Sequence, residues 1–211
     1  MNAAAAAFVF APALALGSFL NVVAARVPLR RSVVRPRSAC GSCGSELAWY
    51  DNVPVVSYVA LRGRCRHCAE GISPVYPAVE LLTAGLVAAC ALAFGPTPYA
   101  VLAAGFCCVL VVLSAIDLRH RIVPNRIVLP AAGIVLVAHT AIDPSPAWLL
   151  SALAASGALF VVALAYPRGL GMGDVKLALL LGAMLGPAVG VGLFAGFLFA
   201  LVPSAVLFAR H

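Results

Sequence analysis

Charge is what this sequence has least of. Only 10% of its 211 residues are Asp, Glu, Lys or Arg, while 64% are hydrophobic, far more apolar surface than a water-soluble domain of that length can hide. A soluble globular fold is thereby excluded, and an all-α polytopic membrane protein is expected. Charge is also missing from the start of the chain, where no residue from Asn2 to Ala25 carries any. A secretory signal begins with a basic segment. Here the first basic residue, Arg26, comes after the apolar run instead, so we read residues 1–25 as a retained helix able to cross roughly 30 Å of hydrocarbon.

Uncharged runs define the remaining spans. The run between Glu80 and Asp117 is broken at Gly95-Pro96-Thr97-Pro98, which predicts two helices joined by a tight turn. Ile127 to Ile142 gives another span, closed by Asp143-Pro144-Ser145-Pro146, and Ala147 to Tyr166 the next. Leu177 to Ala209 is too long for one untilted span and contains the breaker Gly186-Pro187, so we divide it in two. About seven transmembrane helices result.

Basic residues are absent from every second loop of that scheme. Eight arginines fall between the first and second helices, and Arg119, Arg121 and Arg126 between the third and fourth. Arg168 and Lys176 lie between the fifth and sixth, and Arg210 follows the seventh, which completes the 14 basic residues. Because positive loops stay in the cytoplasm, the N-terminus is expected outside and the C-terminus inside. The net charge of +7 is then a topology signal. With no basic face interleaved with aromatics, nucleic acid is not an expected partner.

The one long polar stretch, residues 26–74, contains Cys40-Gly-Ser-Cys43 and Cys65-Arg-His-Cys68. Two such pairs suit a tetrahedral four-thiolate zinc site in which each pair forms a knuckle. Disulfides are the competing reading, but the arginines put this loop in the cytoplasm, where thiols stay reduced. So short a segment cannot build a sufficient apolar core, and metal binding is expected to supply much of its folding free energy. His67 could replace a cysteine as ligand, although we read it as neighbouring polar decoration. Cys90, Cys107 and Cys108 fall within predicted spans and are assigned to packing. The domain boundaries expected are 1–25 for the first helix, 26–74 for the metal-binding domain and 75–211 for the remaining membrane helices.

Acidic residues are rarer still, seven in all, and two of them stand at the edges of apolar stretches. They are Asp117 in SAIDLRHRIVPN and Asp174 in GLGMGDVK. An acid at the margin of a membrane helix marks a candidate functional site, and two on one face suggest a dyad. Peptide hydrolysis by paired carboxylates needs one ionised to take a proton from water and one protonated to polarise the carbonyl. Asp174 begins a helix, where the dipole favours charge, with Lys176 nearby; Asp117 ends one, where the dipole disfavours it. Asp174 is therefore the expected base and Asp117 the expected acid. Gly171 and Gly173 precede the helix where missing Cβ atoms allow close approach of another chain. The bland alternatives are an ordinary helix cap for Asp174 and surface neutralisation of Arg119 or Arg121 for Asp117. Glu80 is either a third polar group of the site or an interfacial carboxylate.

Taken together, these motifs resemble the type IV prepilin peptidases of pilus and type II secretion systems. GSFLNVVAARVP at 17–28, the two cysteine pairs, WYDNVPVVSY at 49–58, LRGRCRHC at 61–68 and YPAVELLT at 76–83 resemble that family's N-terminal half. The run ending at Asp117 and GMGDVK at 171–176 resemble its catalytic half. The resemblance implies an aspartic intramembrane peptidase of the bacterial inner membrane, with Asp117 and Asp174 as the catalytic pair. It would cut after a glycine in prepilins or pseudopilins that carry a basic leader and an apolar helix, and then N-methylate the new terminus with S-adenosylmethionine. No glycine-rich dinucleotide fingerprint is present, so the methyl donor rests on the resemblance alone. Family members often carry a further apolar helix after a PFGPFL-like segment, which the sequence to His211 does not contain. A membrane scaffold or ion-conducting transporter is the competing function; it would need polar groups continuing deep into the bilayer, whereas only scattered ones such as Ser114, His139 and Ser156 are present.

Overall fold

The computed structural model describes residues 3–167 and 169–208; the basic residues Arg168 and Arg210 used in the charge argument lie outside the described residues. Helices dominate, and no strand forms among the described residues beyond two isolated bridges. The chain divides into two compact units, one ending at Pro124 and the other starting at Asn125.

The first unit contains α1 (Ala3–Arg26), the short α2 (Val56–Ala60), α3 (Val75–Phe94) and α4 (Pro98–His120). The turn between α3 and α4 is built from the expected breaker. Gly95 ends α3 at a left-handed φ of 67°, and Thr97 caps α4 by accepting the Ala100 N–H at 3.4 Å, with Pro98 in the first helical position, where its missing N–H is not needed. Small residues line the contacts between helices: Ala13, Ala24, Ala84, Ala100 and Ala103 are buried, while Phe8 and Val101 are 81% and 76% exposed. Between helices in lipid there is no hydrophobic driving force, so close packing of small side chains holds them together. At Gly17 of α1 an added Cβ would lie 2.7 Å from Glu80 Cα of α3, so only glycine permits that approach. One turn further on, Asn21 donates its amide N–H to the Tyr76 carbonyl at 3.1 Å.

The second unit contains α5 (Asn125–Ile142), α6 (Ala147–Ala165), α7 (Met172–Leu185) and α8 (Val189–Phe208). α6 and α7 touch at Gly182, where a Cβ would meet Ala152 Cα at 2.6 Å. His139, which the sequence places near the outer end of a span, is 3% exposed and stacks on Trp148 at 4.0 Å between ring centres.

Six helical stretches among the described residues are long and apolar enough to cross a membrane, and the chain is a multi-pass membrane protein. The sequence anticipates seven spans. The difference lies in the last stretch, where Met172–Phe199 counts once. The break falls at the expected dipeptide, with Gly186 at φ 54° and a 3-10 turn over Gly186–Ala188. However, α7 has only 14 residues, about 21 Å at 1.5 Å per residue, which is short of a full crossing.

Candidate functional site

The four-cysteine segment is built from two copies of one turn. In the first, Cys40 donates its N–H to the Ser45 carbonyl and accepts from Gly44; in the second, Cys65 donates to Glu70 and accepts from Ala69. Bridges at Ala39–Glu46 and Arg64–Gly71 close the two knuckles. The fifth position of each takes a left-handed backbone, at Gly44 (φ 72°) and Ala69 (φ 58°). The result brings the four sulfurs of Cys40, Cys43, Cys65 and Cys68 within 4.8 Å of one another. Cys40 Sγ and Cys68 Sγ stand 3.7 Å apart. A tetrahedron with metal–sulfur bonds of about 2.3 Å has edges of about 3.8 Å, so these thiols fit a metal ion of that type. His67 is not part of the cluster.

Hydrogen bonds prepare the thiols. The Ser45 hydroxyl, 3.3 Å from Cys43 Sγ, and then the Ser45 backbone lower Cys43 to about 6. Backbone contacts with Cys68 and His67 lower Cys65. Cys68 has a backbone bond at Glu70 that acts downward, yet burial and the neighbouring thiols push it up to about 12. Outside the cluster, Arg66 grips the Asp51 carboxylate through Nε at 3.1 Å to both oxygens and Nη2 at 2.6 Å to Oδ1. That contact lowers Asp51 and raises Arg66.

Asp117 stands in the last turn of α4, exposed beyond the fully buried Ile116, and its carbonyl accepts the Arg121 N–H at 2.8 Å. It forms no ion pair with Arg119 or Arg121, since Arg66–Asp51 is the salt bridge found among the described residues. Arg119 instead lies over the Tyr76 ring, 5.8 Å from its centre.

Asp174, in the second unit, occupies the third position of α7 and is exposed. Gly171 is the N-cap, in extended conformation, and donates its N–H to Asp174 Oδ2 at 3.2 Å. Gly173 lies within the first turn. The GMGD loop thus holds its own carboxylate at the N-terminal end of a helix. Lys176 donates to Asn125 Oδ1 at 2.7 Å. Sequence reasoning missed Asn125, because nothing local signals a contact 51 residues away.

Glu80 is a buried acid of the first unit, 7% exposed, and its Oε2 accepts the Val55 N–H at 2.8 Å. Val55 itself has φ 61°, unusual for a β-branched residue. Glu80 therefore fastens the WYDNVPVVSY segment to α3 rather than lying free at an interface.

Apolar spans, a four-cysteine knuckle and carboxylates at helix ends define a class: a polytopic membrane protein with a segment able to hold a metal ion and acid groups at helix ends. Comparison with known proteins specifies it further. Residues 12–94 match the bacterial peptidase A24 N-terminal domain, and residues 104–208 match the type IV leader peptidase family. The prepilin leader peptidase/N-methyltransferase of Myxococcus xanthus is 44% identical over 215 residues, an alignment covering 97% of this chain and 64% of that protein. Proteins of the same name from Burkholderia pseudomallei and Bacillus subtilis are 36% and 35% identical, with 69% and 77% of their lengths covered. No solved structure matches. The chain belongs to the type IV leader peptidase family.

Proposed function

We propose that this protein is a prepilin leader peptidase and N-methyltransferase of the bacterial inner membrane, working at the cytoplasmic face. The observation that carries the peptidase reading is the GMGD loop, in which the first turn of α7 holds the Asp174 carboxylate by the Gly171 N–H. Asp174, at a helix N-terminus, is the base; Asp117, in the last turn of α4, is the acid. Asp174 takes a proton from water as its oxygen bonds to the scissile carbonyl carbon, while Asp117 gives its proton to the carbonyl oxygen. Collapse of that gem-diol breaks the C–N bond: one hydroxyl returns its proton to Asp117 as the carbonyl re-forms, and the departing amine receives the proton held by Asp174. Gly171 and Gly173 leave room for an extended substrate beside the base, and Lys176 offers it an ammonium donor.

Cys40, Cys43, Cys65 and Cys68 would hold zinc, which acts as a structural staple for a segment with little core of its own. S-adenosylmethionine, when bound, supplies the electrophilic methyl group. Eleven arginines gathered at and between helix ends, eight from Arg26 to Arg66 and three from Arg119 to Arg126, support a cytoplasmic site and an N-terminus outside. Substrates are prepilins or pseudopilins whose basic leader stays in the cytoplasm while the apolar helix enters the lipid.

The transporter alternative is disfavoured by the buried polar side chains themselves. Asn21 and Thr83 are each spent on a backbone carbonyl of α3 and form no polar path across the bilayer. Purified protein incubated with a prepilin precursor and methyl donor tests the reading: product mass should fall by the leader and rise by one methyl group. A precursor recovered intact contradicts it.

A further inference from the structure

From Arg26 to Ser45 the chain carries five arginines and no acidic residue. This loop is tied to the end of the first membrane span. Arg26, the last residue of α1, donates to the Ser32 and Arg37 carbonyls at 3.0 and 3.4 Å, and the Arg31 N–H returns to the Arg26 carbonyl at 3.0 Å. Arg30, Arg31, Arg35 and Arg37 are exposed, and their side chains enter no ion pair or hydrogen bond among the described residues. Apolar groups stand beside them: Trp49 is 80% exposed and Val34 78%. A cleft of about 280 Å³ joins the two kinds of group, its walls combining Phe19 and Val22, from the span Ala7–Arg26, with Val34, Arg37 and Trp49. An indole settles at headgroup depth in a bilayer, and a guanidinium pairs with phosphate through two parallel hydrogen bonds.

We propose that this cleft seats an anionic phospholipid, with its phosphate against the Arg37 guanidinium and an acyl chain along Phe19 and Val22. Trp49 then lies at headgroup level, and the four-cysteine segment rests on the bilayer through this side. Charge and apolar surface together select a lipid over other anions. A nucleic acid or an acidic protein segment brings negative charge but no acyl chain for the outer side of α1, where Phe19 is 48% exposed and Leu16, one turn earlier, 40%. Free phosphate leaves Trp49 and Val34 in water. Unanswered arginines beside a span favour an anionic headgroup over a zwitterionic one. The inference is independent of the peptidase reading, since it needs only the span and the loop bonded to its end.

The test is quenching of tryptophan emission by brominated acyl chains, with the full chain in nanodiscs of fixed phosphatidylcholine and phosphatidylglycerol content and the bromine carried by one lipid or the other. The difference between wild type and Trp49→Phe isolates Trp49 from Trp148, the other tryptophan. Brominated phosphatidylglycerol is expected to quench Trp49 at least about twofold more than the same amount of brominated phosphatidylcholine, a ranking that stands without any charge variant. In Arg35→Gln/Arg37→Gln the ratio should fall to about one. That variant keeps the residue 37 carbonyl for Arg26, and metal content and melting midpoint report that it is folded. Equal quenching by the two lipids in the wild type, or a preference that survives in the folded double variant, overturns the inference. Absence of Trp49 quenching by either lipid overturns it as well and gives the patch to water or a protein partner. Protection of Trp49 from acrylamide by inorganic phosphate, in lipid-free detergent and to the extent that phosphatidylglycerol protects it, would mark a free-anion site and also overturn the lipid assignment.

Discussion

Lys176 Nζ donates to Asn125 Oδ1 across 2.7 Å, tying the start of α7 to the first residue of α5 within the second unit. The ammonium is two residues from Asp174, and Asn125 restricts where it can reach. Replacing Asn125 by Leu is expected to lower kcat/KM for leader cleavage about tenfold, or about 1.4 kcal/mol. Asn125→Asp, which keeps an acceptor oxygen, should restore most of it. Because both residues are solvent-accessible, the melting midpoint should barely move. An Asn125→Leu enzyme with wild-type kcat/KM would show that this contact does not position Lys176.

The Cys43 thiol depends on Ser45. With its folded value depressed to about 6, the thiolate's contribution is fully present above the unfolded value and is lost as pH falls through about 6. Ser45→Ala removes the largest cause of that depression, so the pH at which half the metal is released should rise. Metal content measured across pH 4 to 8 checks this; an unchanged midpoint contradicts it.

Ala69 stands where its sister knuckle has Gly44, and both have positive φ. An L-residue with a side chain pays about 1–2 kcal/mol in that region, partly offset by the greater unfolded-state freedom of glycine. Ala69→Gly is therefore expected to stabilise the metal-bound segment by up to about 1 kcal/mol. Gly44→Ala should destabilise it. Denaturation followed by metal release reads both, and a destabilising Ala69→Gly would contradict the equivalence of the two turns.

Gly17 lets α1 reach the α3 backbone at Glu80. A methyl group there meets Glu80 Cα at 2.7 Å and the Glu80 carbonyl oxygen at 3.2 Å, neither of which is a flexible side-chain end that could swing aside. Gly17→Ala is expected to lower stability by about 1–3 kcal/mol, as overpacking does. An unchanged melting midpoint in detergent would mean that the two helices separate without cost.

The sequence was most readable where a single physical property decides. Long uncharged runs between charged ends gave the spans, and Gly95 through Pro98 marked a turn because glycine supplies the left-handed cap and proline fits the first helical position. The spacing of the cysteine pairs foretold the thiol cluster, since each knuckle closes through bonds within six residues. The final helices were less legible: Gly186-Pro187 located the break but not the fact that α7, at 14 residues, is short of a crossing. Glu80 could not be decided in sequence because its partner is a backbone N–H, and any residue but proline offers one. Asn125 gave no signal for the same kind of reason, its role resting on a contact between distant helices.

The measurement that bears most directly on the central claim is the rate of leader release from a prepilin precursor by wild type, Asp117→Asn and Asp174→Asn, each confirmed as folded by its metal content. Each asparagine keeps the shape of the side chain but can no longer exchange a proton with water or substrate, so both variants are expected to release no measurable leader. Release by either at a rate near that of the wild type would contradict the two-aspartate account.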